Sequence, residues 1–232
     1  KTGIDILGER TGLVPSRDWK RHAFKSKSLQ VWFPGETVIA GIGQGYWKAT
    51  TLQLARGVAA LADEGELRRL HLVAQRRDGY AAPWRTLAQP APVRITDQPA
   101  HLRAVQEGMM MTMQPGGTGA GMARGAPYLM AGKTGTAQKV SRKGNVSMDP
   151  HSLPISLRHQ AWFIGYAPVE NPKIAVAVMV EHGGFGASSA GPIARKMMDA
   201  YLLGKMPEPP VRKDDSPLAP KFGNVVAGSQ QP

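Results

Sequence analysis

Cysteine is absent from the 232 residues, which excludes disulfides and thiol chemistry and leaves the redox compartment open. No apolar run reaches the roughly 20 residues that a membrane-crossing helix needs, and the N-terminus lacks the pattern of a signal peptide. Aromatics make up only 6% of the chain. Base-stacking nucleic-acid readers interleave aromatics on a sheet surface. Here only Trp19 and Phe24 interrupt the basic cluster Arg17, Lys20, Arg21, Lys25 and Lys27. That cluster reads as a solvated face around a loop, and no nucleic-acid partner is expected. Acidic residues are scarce as well: 17 Asp+Glu against 29 Lys+Arg leave a net charge of +12. This excess favours an anionic partner or surface and says nothing of fold. The six histidines show no metal-ligand spacing, and His151 and His159 read as solvated loop residues. No metal and no cofactor are implied.

What is present is organised in three stretches. Residues 1–48 are rich in glycine, proline, charge and aromatics and read as loops and short helices, with Gly41–Trp47 a turn-rich segment. Thr50 or Thr51 can cap a helix whose Leu54, Val58, Leu61 and Ala62 share one face and which Gly65 stops. The stretch from His71 to Pro99 suggests short strands and turns, and Asp97-Gln98-Pro99 opens a second helix. Leu102, Val105, Met109 and Met113 form its apolar stripe, the methionines Met109, Met110, Met111 and Met113 reading as core filler. Gly116–Gly125 lacks a nucleotide-binding register and reads as a flexible connector.

Three strand signals follow, at 128–138, 161–166 and 173–181. The last alternates, with Ile174, Val176, Val178 and Val180 on one face and Ala175, Ala177 and Met179 on the other; residues 167–172 read as a hairpin loop. A C-terminal helix should bury Ile193, Met197, Ala200 and Tyr201 and close at Gly204. From Lys205 the chain is polar and proline-rich and is expected to be a disordered tail. Residues 1–204 are thus read as one folded part and 205–232 as the tail.

The first of those strands ends in Lys133-Thr134-Gly135-Thr136. A fixed positive charge, two hydroxyls and a residue without a side chain are what a strand needs to hold a peptide carboxylate beside a reacting acyl carbon. Gly132-Lys133-Thr134 also mimics the end of a phosphate-binding loop. The glycine that motif requires would fall at Pro127, and Gly135–Val140 does not read as the helix start that would face phosphates.

Taken together, Thr2–Asp5, Gly41–Trp47, Leu52–Ala55, Ala131–Gln138 and Ala161–Pro168 resemble the C-terminal part of the transpeptidase domain of class B penicillin-binding proteins, and most of all those of cell elongation. The resemblance spans roughly residues 1–204, and Thr51 departs from it where proline is expected. It implies an α+β fold of the penicillin-binding and serine β-lactamase type, an antiparallel sheet packed against helices, here without its early strands. The strand at 173–181 would then expose an unpaired edge. The family nucleophile sits in S-x-x-K and a second element in S-x-N. Neither occurs: Ser26 and Ser28 lack lysine three residues on, and Ser147-Met148-Asp149 carries aspartate in place of asparagine. Both normally precede this region, so the chain, which opens on Lys1, is expected to be a piece that begins downstream of them.

The resemblance further implies serine acyl transfer between peptidoglycan stem peptides, with β-lactam antibiotics acylating the same serine. Lys133 would lend positive potential to proton transfer, Thr134 and Thr136 would bind the terminal carboxylate with Gly135 leaving room, and the Thr136 amide would complete an oxyanion hole. A SEDS-type glycan polymerase and elongation-complex scaffold proteins are the implied partners. The implied location is the periplasmic side of a bacterial inner membrane, through an anchor not in this chain. The alternative is an inactive module that binds stem peptide or a partner without chemistry. The 139–160 connection is long and is expected to act as a mobile flap.

Overall fold

The computed structural model describes residues 1–138 and 154–205. Its centre is a three-stranded antiparallel sheet of β5 (Ala131–Ala137), β6 (Gln160–Ala167) and β7 (Ile174–Val180), in the order β5-β6-β7. The register pairs Lys133 with Ile164, Gly135 with Trp162 and Thr136 with Ala161. Helices α3 (Thr51–Ala62) and α4 (Pro99–Met113) cover one face and α6 (Ala190–Leu203) the other. Because side chains alternate along a strand, two covered faces require two apolar sets. Phe163, Ala167, Val176 and Val178 pack towards Ala194 and Met198 of α6. Ala131, Tyr166, Ile164 and Ala175 pack towards Val58 and Met109 of α3 and α4. The even alternation of 174–180 has this origin, and β7 forms an outer strand of the sheet among the described residues.

The helices start and stop where local chemistry dictates. Thr50 caps α3: its hydroxyl accepts the Gln53 N–H at 3.1 Å, and the Gln53 side chain accepts the Thr50 N–H at 3.0 Å. That reciprocal pair satisfies two of the donors every helix start leaves open. Gly65 turns the chain beyond α3, its N–H reaching the Ala60 carbonyl at 2.8 Å. Pro99 occupies the first turn of α4, where its missing N–H costs nothing. Between these helices lie two-residue ladders, β1 (Glu66–Leu67) with β4 (Val93–Arg94) and β2 (Gln75–Arg76) with β3 (Arg85–Thr86).

Several expectations are corrected. The face of α6 against the sheet is Ala190, Gly191, Ala194 and Met198, whereas Ile193, Met197 and Tyr201 are 44%, 46% and 65% exposed. Small side chains let the helix axis approach the sheet, and the larger apolar residues are left outside. Val105 is likewise exposed on α4. Residues 116–125 are not a loose connector: they hold the short helix α5 (Ala120–Ala123), and the Arg195 guanidinium donates to the carbonyls of Met122, Arg124 and Gly125. Arg195 also pairs with Asp199, which accepts the Tyr128 hydroxyl proton at 2.6 Å. Burial, then that bond to Asp199, holds the Tyr128 hydroxyl well above its usual range. Trp19 lies not in a loop but in helix α1 (Arg17–Ala23), capped by Ser16. Lys20 of the basic cluster is buried, and so is His159. His151, most of the 139–160 connection and the tail beyond Lys205 lie outside the described residues.

Phe163 fills the groove left by two glycines paired across the strands, Gly132 and Gly165. A Cβ on Gly132 would stand 2.4 Å from the Phe163 ring. Truncating this 1%-exposed ring removes its burial and leaves a cavity. Phe163→Ala should cost about 3–5 kcal/mol and Met198→Ala about 2–5 kcal/mol in chemical denaturation. Tyr201→Ala, on the open face of α6, should stay within about 0.5 kcal/mol of the parent.

Candidate active site

The lysine-threonine strand lies at the other margin of the sheet, paired with β6 on one side only among the described residues. In an antiparallel ladder a residue that exchanges bonds with its partner sends both N–H and C=O towards it, and the next residue sends both away. Gly135 is one that faces β6. Gly186, in the turn before α6, packs so closely over the Gly135–Trp162 pair that a Cβ on it would stand 2.2 Å from the Trp162 oxygen. The same point lies 2.7 and 2.9 Å from the Gly135 oxygen and nitrogen. With Gly135 turned inward, Thr134 and Thr136 present their backbone groups to the open margin.

Two side chains confirm that direction by reaching those carbonyls. The Lys133 ammonium donates to the Thr134 carbonyl at 2.9 Å. The Gln44 side-chain amide donates to the Thr136 carbonyl at 2.8 Å. Lys133 leaves the sheet on the face opposite to both threonine side chains, as its pairing opposite Ile164 requires. It is solvent-exposed, and its long stem curls round the margin to bring charge to the side where the threonines' amides point. On the other face the Thr134 hydroxyl shares a 3.1 Å hydrogen bond with the Thr118 hydroxyl. Lys133, Thr134, Gly135 and Thr136 are therefore brought together on one open strand margin.

A cleft of about 500 Å³ adjoins this margin, lined among others by Gln44, Trp47, Leu54, Thr136 and Trp162. Lys48 is the ionisable side chain among its described lining residues. With Lys133 nearby, the local field favours an anion. Outward N–H groups at Thr134 and Thr136, one ammonium and two hydroxyls can bind a carboxylate and polarise a carbonyl placed at the margin.

The turn that carries Gln44 is held from behind by an ion pair whose lysine is buried. Glycines with positive φ flank Gln44, Gly43 at 76° and Gly45 at 79°, a conformation that a residue with a Cβ resists. The turn follows helix α2 (Pro34–Gly41). Glu36 in its first turn pairs with the Lys20 ammonium at 2.5 Å, and Lys20 also donates to the Val31 carbonyl at 2.7 Å. Phe33, Tyr46 and Phe24 surround that ammonium at 5.1, 5.8 and 6.0 Å from their ring centres. Lys20 is 2% exposed. A lysine placed so deep is tolerated because carboxylate, carbonyl and ring faces replace its hydration.

The sequence alone gives Gln44 and Thr118 no role. The glycines around Gln44 mark a turn, but a bond spanning 92 residues leaves no local pattern. Thr118 sits in the glycine-rich stretch that local composition reads as a connector.

The Lys20 bond, then the Phe33 N–H, hold the Glu36 carboxyl below its usual range. A depressed carboxyl pKa contributes stability that is complete above the ordinary value of 4.5 and is lost as pH falls through the folded-state value. Glu36→Gln should therefore lower the thermal midpoint at neutral pH, with the gap to the parent closing below about pH 4.5. A gap independent of pH would place the carboxylate's contribution elsewhere.

The family model described as penicillin binding protein transpeptidase domain matches residues 1–199. A peptidoglycan D,D-transpeptidase MrdA of Haemophilus influenzae is 37% identical over 95% of this chain and 33% of its own length. The MrdA protein of Escherichia coli is 35% identical over 88% of this chain and 31% of its own length. Among solved structures, Pseudomonas aeruginosa PBP2 in complex with WCK 5153 superposes with a TM-score of 0.68 at 40% identity, covering 88% of this chain and 42% of that one. PBP2 of Helicobacter pylori in complex with MreC gives 0.66 at 31% identity, covering 88% and 34%. The chain thus spans about a third of the length of these curated relatives.

Proposed function

This chain belongs to the penicillin-binding protein transpeptidase family, and we propose that it supplies the carboxylate-binding and oxyanion half of a peptidoglycan D,D-transpeptidase. The observation that carries this reading is the open margin of β5, where Lys133, Thr134 and Thr136 converge with outward backbone amides. The substrate is a stem peptide ending in D-Ala–D-Ala. Its terminal carboxylate lies against the Thr134 and Thr136 hydroxyls, with the Lys133 charge close by. Gly135, without a side chain, lets the peptide lie against the strand. The substrate backbone runs along the margin as an added strand, the mode in which main-chain bonds give affinity.

The nucleophile is a serine on the part of the protein outside this chain, since no S-x-x-K occurs here. Its oxygen bonds to the penultimate D-Ala carbonyl carbon, and the bond from that carbon to the terminal D-Ala nitrogen breaks. Terminal D-Ala leaves with the proton the serine gave up. An amine of a neighbouring stem peptide then attacks the ester, forming the crosslink and returning the serine. In both steps charge develops on the carbonyl oxygen. The Thr136 N–H is aimed to receive it, together with the amide of the serine itself. One such donor is typically worth about 10²–10³ in rate. Lys133 keeps the local potential positive while protons move. β-Lactams, which carry a strained amide and a carboxylate, enter by the same contacts.

The setting follows from the same reading. No helix among the described residues is long and apolar enough to cross a membrane, and an anchor outside this chain would hold the domain on the periplasmic side of the inner membrane. A glycan polymerase of the SEDS type would supply strands for crosslinking. A relative's complex with MreC supports a scaffold partner of that kind.

Labelling with a fluorescent penicillin tests the reading. The longer parent protein should take the label covalently, and this chain alone should take none. In the parent, Lys133→Ala should lower the acylation rate by about 10²-fold or more, and Thr136→Val should weaken carboxylate-bearing ligands more than it changes the thermal midpoint. A covalent adduct on this chain alone, or a parent whose labelling ignores Lys133→Ala, would contradict it.

A further inference from the structure

We propose that Gln44 is a positioning residue for acyl transfer: by donating to the Thr136 carbonyl it fixes the direction in which the Thr136 N–H meets the developing oxyanion. The inference rests on the transpeptidase reading and adds a residue from a distant turn to it. Thr136 ends the functional part of a strand that, among the described residues, is supported by β6 on one side only. On the open side its carbonyl is held by the Gln44 amide at 2.8 Å. In an extended residue the N–H and C=O point the same way, so whatever fixes one orients the other. Oxyanion donors act through their preorganisation, at about 2.7–3.1 Å from the oxygen. A strand margin free to twist would lose that geometry without losing its fold.

Gln44 is itself built to hold still. Gly43 and Gly45 set the reversal, the Gln44 N–H bonds the Ile39 carbonyl at 3.1 Å, and the Trp47 indole donates to Ala40 at 2.9 Å. Behind the turn stands the Lys20–Glu36 pair, with Tyr46 packed against the ammonium. Lys20 thus steadies, through α2 and the turn, a carbonyl on a strand far along the chain. Glutamine suits the task because its side-chain amide donates to a carbonyl without changing the charge of the site.

The test uses the full-length parent with Gln44→Leu, which loses the donor, and Gln44→Glu, which keeps the shape. Acylation by a fluorescent penicillin is resolved into the acylation rate and the dissociation constant of the preceding complex. Gln44→Leu should slow acylation about tenfold with the dissociation constant within about twofold, the mark of an interaction that matters in the transition state. Gln44→Glu should be slower still near pH 7, where a carboxylate faces a carbonyl and both are acceptors. Its rate relative to the parent at the same pH should recover as the acid protonates towards about pH 5, since the protonated group can donate. An acylation rate within twofold of the parent in Gln44→Leu, or a Gln44→Glu ratio flat across that range, would overturn the proposal. A parent that takes no label refutes the transpeptidase reading instead. The positioning claim is then decided by amide hydrogen exchange across 131–137, which must quicken in Gln44→Leu and overturns the claim if unchanged.

Discussion

Everything at the candidate site depends on one consequence of antiparallel pairing: because Gly135 turns its backbone groups to β6, Thr134 and Thr136 turn theirs outward. A shift of one residue in register would reverse this, sending the threonine amides into the sheet. Register is therefore the quantity the surrounding structure protects. Phe163 seated over the Gly132 and Gly165 pair fixes it from one face, since the ring fits only where two glycines meet across the strands. Tyr166 and Ala131 fix it from the other, packed against α3 and α4. Gly186 closes over the Gly135–Trp162 pair at a distance no side chain could share.

The margin is held by polar contacts as well as by packing. Arg195 on α6 binds carbonyls of the segment after α4, and that same segment carries Thr118 to the Thr134 hydroxyl. Gln44 approaches from the opposite end of the chain, on a turn backed by the pair of buried Lys20 with partly buried Glu36. Burial opposes ionisation of Asp199, yet the Tyr128 hydroxyl and the Arg195 guanidinium outweigh it and keep the carboxyl below its usual range. Two clusters of charge thus back the segments that reach the strand, one through Thr118 to the Thr134 hydroxyl and one through Gln44 to the Thr136 carbonyl. Their burial is costly on its own, and a fully partnered geometry offsets that cost.

Much of this arrangement was legible in the chain. The Thr50 cap, the stop at Gly65, the start at Pro99, the three late strands and the Lys133–Thr136 segment are local patterns. Backbone chemistry and side-chain periodicity determine them within a few residues, and the motifs quoted for the family resemblance pointed to the family that the comparisons found. What escaped was of two kinds. The buried face of α6 is made of Ala190, Gly191 and Ala194, residues whose value is their smallness, so a search for large apolar side chains selects the wrong stripe. Lys20, His159 and Gln44 owe their surroundings to segments that only the folded chain brings near. A basic residue in a basic run gives no local hint that a carboxylate and three rings await it.

The central claim concerns a direction in space, and a crystal structure of the parent protein acylated by a penicillin measures it directly. The acyl carbonyl oxygen should lie about 2.7–3.1 Å from the Thr136 nitrogen, with the ligand carboxylate against the Thr134 and Thr136 hydroxyls and Gln44 still on the Thr136 carbonyl. A ligand bound away from the β5 margin, or a Thr136 N–H turned towards β6, would contradict the account.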